Sequence, residues 1–213
     1  MVNSKDLQVF RELVVATKNP GKLREIQDLL SQFQLKILSL QDFPQIPPPL
    51  EDGRTFAENA AKKAIEVARK TNRLALADDS GLAVGALQGR PGVFSARYAG
   101  ENATDEQRCQ KLLSEMANIP KERRQAAFVC AMALASPEGK LRIVEAKCHG
   151  RITFSPQGKG GFGYDPIFFV PQFSKTMAEL NPNVKNRISH RGQALKKVRR
   201  FLPAFLREGK IPL

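Results

Sequence analysis

Two adjacent aspartates and a serine, Asp78-Asp79-Ser80, close an alternating apolar run in the stretch LALADDSGLAV, residues 74 to 84. Neighbouring side chains on an extended strand point to opposite faces, so the two carboxylates serve different tasks. Asp79 is assigned to a site, and Asp78 reads as a buried brace accepting backbone N–H bonds. Gly81 is read as a turn directly after them. Further carboxylates lie at Glu51, Asp52 and Asp165. Oxygen ligands without neighbouring histidine or cysteine suit magnesium, which is held by one or two carboxylates together with substrate phosphates. Asp52, just before Gly53, reads as a turn residue.

A second polar cluster is TKNPGK, residues 17 to 22. Asn19 is a good helix cap and Pro20 fits a first helical turn, so a helix is expected to begin there at the end of a strand. Free N–H groups, the positive end of the helix dipole and Lys22 make such a turn receptive to phosphate. It is no Walker A loop, because no Gly-Lys pair in the chain precedes serine or threonine. GKGGFGYDP, residues 158 to 166, satisfies G-x-G-x-x-G literally, yet Asp165-Pro166 leads into the strand-like IFFV and not into a helix, which excludes a dinucleotide fingerprint. Its glycines are read either as a flexible loop or as a place where backbone approaches a flat or phosphorylated ligand, with Phe162 or Tyr164 available to stack.

Basic residues complete the set. Lys63 lies one helical turn after Asn59 on the same face, although taken alone it reads as a solvated lysine. KNRISHR contributes Lys185, His190 and Arg191, with Ser189 a cap that puts His190 and Arg191 in the first turn of the last helix. Cations there oppose the helix dipole, an unfavourable placement that a bound anion or base could offset.

Several elements must position these groups. ELVVAT reads as a buried strand, and Leu23, Ile26, Leu29, Leu30 and Phe33 keep helical spacing after it. TFAENAAKKAIEVARK is a helix with Thr55 and Glu58 at capping-box spacing, and TDEQ starts another. GALQGRPGVFSARYAG reads as a glycine-rich loop, while QAAFVCAMALA and LRIVEAKCHGRITF form an antiparallel pair around SPEG. Mixed strands and helices argue for an α/β or α+β architecture and against a purely parallel doubly wound sheet.

The 213 residues are 42% hydrophobic and 26% charged, as in ordinary globular chains, and are expected to form one domain. Three cysteines without CxxC spacing and two histidines leave no zinc-type constellation and suit a reducing, cytoplasmic compartment. The N-terminus carries no signal-type core, and no run is long enough to span a membrane. A net charge of +13 favours an anionic partner: nucleic acid, an anionic surface or a phosphorylated small molecule. Much of it lies in the last helix, where Leu195, Val198 and Leu202 are spaced for burial. Lys196, Lys197, Arg199 and Arg200 there read as a solvated face rather than a nucleic-acid footprint.

In order, VVATKNPGKLREI, FAENAAKKA, LADDSGLAV, PGVFSARYAG, GGFGYDPIFF and NRISHRGQAL resemble the inosine triphosphate pyrophosphatase family, over nearly the whole chain. The departures are a short extension, residues 1–12, and Lys18, where family members often carry glycine. The resemblance implies an α/β fold with an elongated mixed β-sheet flanked by helices, two lobes with a central cleft, and a homodimer. It implies magnesium-dependent cleavage of inosine, deoxyinosine or xanthosine triphosphate to the monophosphate and pyrophosphate, with no stable nucleic-acid or membrane partner. By the same resemblance Thr17, Lys18, Asn19, Pro20, Gly21, Lys22 and Lys63 hold phosphates. Asp79 and Glu51 organise Mg2+, with Asp79 accepting the proton of the attacking water. Ser80, Phe162, Gly163, Tyr164, Asp165, Lys185, His190 and Arg191 contact the nucleotide, the last two near the base.

Overall fold

The computed structural model describes residues 12–207; most of the predicted N-terminal extension lies outside them. Among the described residues seven strands form one mixed sheet: β1 (Glu12–Val15), β2 (Lys36–Ser39), β3 (Leu74–Val84), β4 (Gln125–Ala135), β5 (Leu141–Ile152), β6 (Phe168–Val170) and β7 (Lys175–Thr176), in the order β2-β1-β3-β4-β5-β6-β7. β1 runs parallel to both β2 and β3, with Leu13 opposite Ile37 and Leu74. β6 is antiparallel to β5 and to β7. β4 and β5 are neighbours joined by residues 136–140, a connection too short for anything but a hairpin. Glu12, counted in the extension but also the first residue of the ELVVAT strand, opens β1 and pairs with Lys36 and Arg73.

The helices are α1 (Pro20–Leu30), α2 (Phe56–Thr71), α3 (Asp105–Glu115), α4 (Pro182–Ile188) and α5 (His190–Arg207). Their starts follow capping chemistry. Asn19 Oδ1 accepts Lys22 N–H at 3.0 Å, Thr55 Oγ1 accepts Glu58 N–H at 3.1 Å, and Ser189 Oγ accepts Gly192 N–H at 3.0 Å. Glu58 does not complete the expected box with Thr55; its carboxylate takes the N–H of Arg54 instead, at 2.8 Å. α4 carries no strong apolar period and was not expected; Asn181 caps it, with Pro182 in its first turn. No helix among the described residues is long and apolar enough to cross a membrane.

The chain divides into two compact units. The first comprises residues 12–79, 131–145 and 194–207, and the second residues 80–130 and 146–193. In the first, α2 buries a stripe of Ala60, Ala64, Val67 and Ala68 against Ala75 and Ala77 of β3 and Ala131, Ala133 and Ala135 of β4. Small side chains on both surfaces let the helix backbone approach the sheet closely. Leu195, Val198 and Leu202 of α5 are fully buried, each contributing about 1.5–3 kcal/mol, while Lys196, Lys197 and Arg200 stay exposed, as their spacing predicts. The second unit is built on larger residues, among them Leu82, Leu112, Met116, Phe128 and Phe168, with the Phe128 and Phe168 rings 4.3 Å apart.

The expected turn at Gly81 is not formed: β3 continues through it to Val84. The glycine is there for proximity. A Cβ at residue 81 sits 2.4 Å from Ser95 Oγ and 2.5 Å from Gly92 O, because the segment 92–97, a 3-10 helix and not the open loop expected, packs directly on the strand. Ser95 Oγ also accepts Leu82 N–H at 2.9 Å and donates to Gly92 O at 2.6 Å. Gly81→Ala is therefore expected to destabilise the protein by about 1–3 kcal/mol through overpacking, measured as a lower urea midpoint with unchanged slope.

Candidate functional site

In the first unit the acidic pair divides as the strand geometry requires. Asp78, fully buried, forms an ion pair with Lys22 Nζ, so its carboxylate braces the turn after β1 through a lysine. Asp79 faces α2: Asn59 Nδ2 donates to its Oδ2 at 3.0 Å and Lys63 Nζ lies 3.5 Å from its Oδ1. Lys63 also donates to Glu51 Oε1 at 2.7 Å and to the carbonyl oxygen of Asp78 at 2.8 Å. The reading of Lys63 as solvated is thus corrected, since only 5% of it is exposed. On the alanine stripe of α2 its stem has no route to the surface, and its ammonium is satisfied by three oxygens instead.

Asn59 is the residue in this cluster to which the sequence assigned no role. Its Oδ1 accepts Gly53 N–H at 2.7 Å while its amide holds Asp79, so it ties the loop carrying Glu51 and Asp52 to the strand carrying Asp79. Its spacing from Lys63, one turn apart on an alanine-lined face, was the available signal. Asp52 forms an exposed pair with Lys62, consistent with a loop residue.

The turn at residues 17–22 is ordered by its own side chains. Thr17 Oγ1 accepts Asn19 N–H at 3.1 Å and Asn19 Oδ1 accepts Lys22 N–H, leaving Lys18 exposed and Pro20 and Gly21 opening α1. Positive charge therefore stands on this turn and on α2, around the two aspartates.

Burial, followed by the nearby Glu51, pushes the Asp79 carboxyl above its ordinary value, with Lys63 and Lys22 acting in the opposite direction. Burial opposes the Lys63 ammonium most strongly, but Asp79, Glu51 and Asp78 together hold its value above that of a free lysine. Asp79 and Glu51 are both held to Lys63 Nζ, which brings two carboxylates near each other as an all-oxygen donor set. That donor set fits a hard divalent ion. Among the described residues, no group of three or more His, Cys, Asp or Glu is placed to hold a metal ion by itself.

In the second unit Lys185 and Asp165 are buried together, Nζ to Oδ2 at 2.6 Å, and the same Oδ2 accepts Phe162 N–H at 2.9 Å. Asp165 thus belongs to an ion pair and is removed from the carboxylates considered for metal. The glycines before it serve the protein's own packing. A Cβ at Gly161, where φ is +75°, meets Asp165 Oδ2 at 2.1 Å, and one at Gly160 meets Ala178 O at 2.8 Å. Tyr164, expected to be free to stack, is instead in the core, donating its hydroxyl to Ser95 O at 2.9 Å. Phe162 remains half-buried, with Lys185 Nζ 4.6 Å and Arg191 Cζ 5.5 Å from its ring centre.

Arg191, 2% exposed in the first turn of α5, donates to Ser80 Oγ at 3.1 Å. His190 is buried beside it and stacks on Phe128 with ring centres 4.8 Å apart. Gly192 lets this turn pass the end of α4, for a Cβ there lies 1.7 Å from Asn186 O. Of the predicted residues of this unit, Lys185 and Arg191 therefore stand against Phe162, whereas Tyr164 and His190 pack on Ser95 and Phe128. A cavity of about 580 Å³ also in this unit, bounded by Lys147, His149, Gln172 and Arg187 among others, is lined by none of the predicted residues.

A family model described as the Ham1 family matches residues 13–201. The chain is 57% identical over 183 residues to a dITP/XTP pyrophosphatase of Geobacter sulfurreducens, covering 86% of this chain and 92% of that one. It is 52% identical over 189 residues to a dITP/XTP pyrophosphatase of Geobacillus kaustophilus, covering 89% and 93%. Among solved structures, a HAM1 protein from Coxiella burnetii matches with a TM-score of 0.82 at 46% identity, covering 91% of this chain and 98% of the other. The Ham1 protein of Staphylococcus aureus matches with a TM-score of 0.81 at 38% identity, covering 91% and 99%.

Two outcomes follow from this electrostatic arrangement. In metal-free protein, the carbon-13 titration of the Asp79 carboxyl is expected to run above the ordinary aspartate value of about 3.9, and in Lys63→Met to move higher still because the opposing ammonium is gone. By linkage, a raised native value makes this group favour the folded state below about pH 4, an advantage lost as pH rises through the native value. Separately, Asp165→Ala strips buried Lys185 of its carboxylate and is expected to lower stability by about 3–5 kcal/mol in urea unfolding, with much of the loss recovered in Asp165→Ala/Lys185→Met.

Proposed function

Since this chain belongs to the Ham1 family, we propose that it hydrolyses the non-standard purine nucleoside triphosphates dITP, ITP and XTP to the monophosphate and pyrophosphate. The observation carrying this reading is the convergence of Asp79 and the partly exposed Glu51 on buried Lys63, next to a strand-to-helix turn rich in donors. The names of the relatives supply the substrate class. A triphosphate needs its charge neutralised and a water held in line with the leaving pyrophosphate. Lys18, Lys22, Lys63 and the N–H group of Gly21 are the groups proposed to meet the phosphates, with Thr17, Asn19 and Pro20 holding the turn in shape.

Asp79 is the proposed proton acceptor for the water. Asn59 fixes its orientation. Glu51 and Asp79 are the residues proposed to hold Mg2+, which when bound supplies charge neutralisation and a more acidic water.

The residues around Phe162 are assigned to the nucleoside. The Phe162 face offers stacking, and Arg191, oriented by Ser80, offers N–H donors to a 6-oxo acceptor; adenine presents a donor at that position and leaves a buried donor unsatisfied. Lys185 and Asp165 keep the loop closed on itself, Gly163 and Tyr164 carry its bend, and His190 holds the turn beside Arg191. A homodimer in the cytoplasm completes the proposal, on the family resemblance and the cysteine pattern.

Purified protein with magnesium is expected to release pyrophosphate from ITP, dITP and XTP much faster than from ATP. Equal rates, or orthophosphate as first product, exclude the proposed selectivity or bond position. Asp79→Asn is expected to lower kcat by about 10²-fold or more while the urea midpoint changes little; near-normal turnover assigns the chemistry to another group.

A further inference from the structure

The loop that carries Phe162 is fastened from outside as well as by Asp165. Asp105 Oδ2 accepts Gly163 N–H at 2.6 Å, and Cys109 Sγ donates to Gly163 O at 3.4 Å. Both main-chain polar groups of Gly163 are thus engaged by residues one helical turn apart on α3, more than fifty positions away in sequence. Gly163 has φ +63°, a conformation that other residues adopt only with strain. Burial first, and then Asp105, push the Cys109 thiol up to about 12, so it stays protonated and remains a donor.

Helix formation does not account for where Asp105 points. The start of α3 is closed by Thr104 and Gln107, which exchange hydrogen bonds of 3.2 and 2.8 Å, so no cap is missing there. Its Oδ1 pairs with Arg108 instead, and that guanidinium is itself held by the carbonyl oxygens of Ala96 at 3.0 Å and Ala103 at 2.5 Å. The carboxylate is partly exposed, where a first-turn aspartate could equally be hydrated, yet both of its oxygens are committed. One receives Arg108 and the other reaches across to the loop.

We propose that Asp105 is a positioning residue for nucleotide recognition: it locks Gly163 so that the neighbouring Phe162 ring is presented, between Lys185 and Arg191, to the base. This rests on the assignment of that loop to the nucleoside. Asp105 touches no reacting group, so its loss acts on binding of the base and leaves the chemical step intact.

The test uses full-length Asp105→Ala and Asp105→Asn, the latter retaining an oxygen that can accept from Gly163. Amide hydrogen exchange without nucleotide or metal is expected to speed up at Gly163 by about ten-fold or more in Asp105→Ala and far less in Asp105→Asn, with the amides of α2 unchanged. Steady-state assays are expected to show KM for ITP raised about ten-fold with kcat within about three-fold, and Asp105→Asn close to wild type. Unaltered exchange at Gly163 overturns the proposal, as does faster exchange with unchanged KM, or an equal loss of kcat in both variants. Should Asp105→Ala fail to fold, Asp105→Ser, too short to reach Gly163 but suited to a helix start, provides the same readouts. A wild-type protein indifferent to ITP defeats the functional assignment on its own, and the exchange measurement still decides whether Asp105 holds the loop.

Discussion

An ammonium group held almost out of water on α2 is the constraint on which the first unit of this protein depends. Removing a lysine from solvent is strongly unfavourable unless its three donors find oxygens, and Lys63 finds them on Glu51, Asp79 and the Asp78 carbonyl. Those oxygens come from a loop and a strand that are distant in sequence. Satisfying one buried cation therefore brings together two carboxylates whose mutual repulsion would otherwise separate them. Asn59 reinforces the same junction with neutral hydrogen bonds.

The alanines of α2 and of the strands beneath it make this possible. A helix carrying leucine at residues 60, 64 and 68 stands farther from the sheet, and Lys63 then has space to extend to solvent. Close helix-sheet contact converts a flexible, usually solvated side chain into a fixed positive charge. A fixed charge needs little reorganisation when a polyanion arrives, which is the electrostatic advantage of a prepared site.

The second unit uses the same device with different residues. Lys185 is held by Asp165, Arg191 by Ser80, and the ring of Phe162 lies against both cations. The glycine run around residue 160, suggestive of phosphate binding when read as a string, is needed because backbone passes against Asp165 and Ala178. Rigidity there comes from a loop folded around its own carboxylate and tied to α3. A flat ligand is recognised best by a surface that loses little freedom on binding it.

From the sequence alone, the helix starts at Asn19, Thr55, Thr104 and Ser189, the mixed character of the sheet and the opposite directions of Asp78 and Asp79 were legible, because each depends on contacts within a few residues or on strand alternation. The six ordered motifs also carried the family. Tertiary structure alone decided that Lys63 is buried, that Tyr164 is core, that Gly81 lies within a strand and that Asp165 answers to Lys185. In each of these cases the deciding partner is more than ten positions away. Local spacing reports which face a side chain occupies; what stands opposite that face is set by packing of distant segments, and burial and ion pairing follow from it.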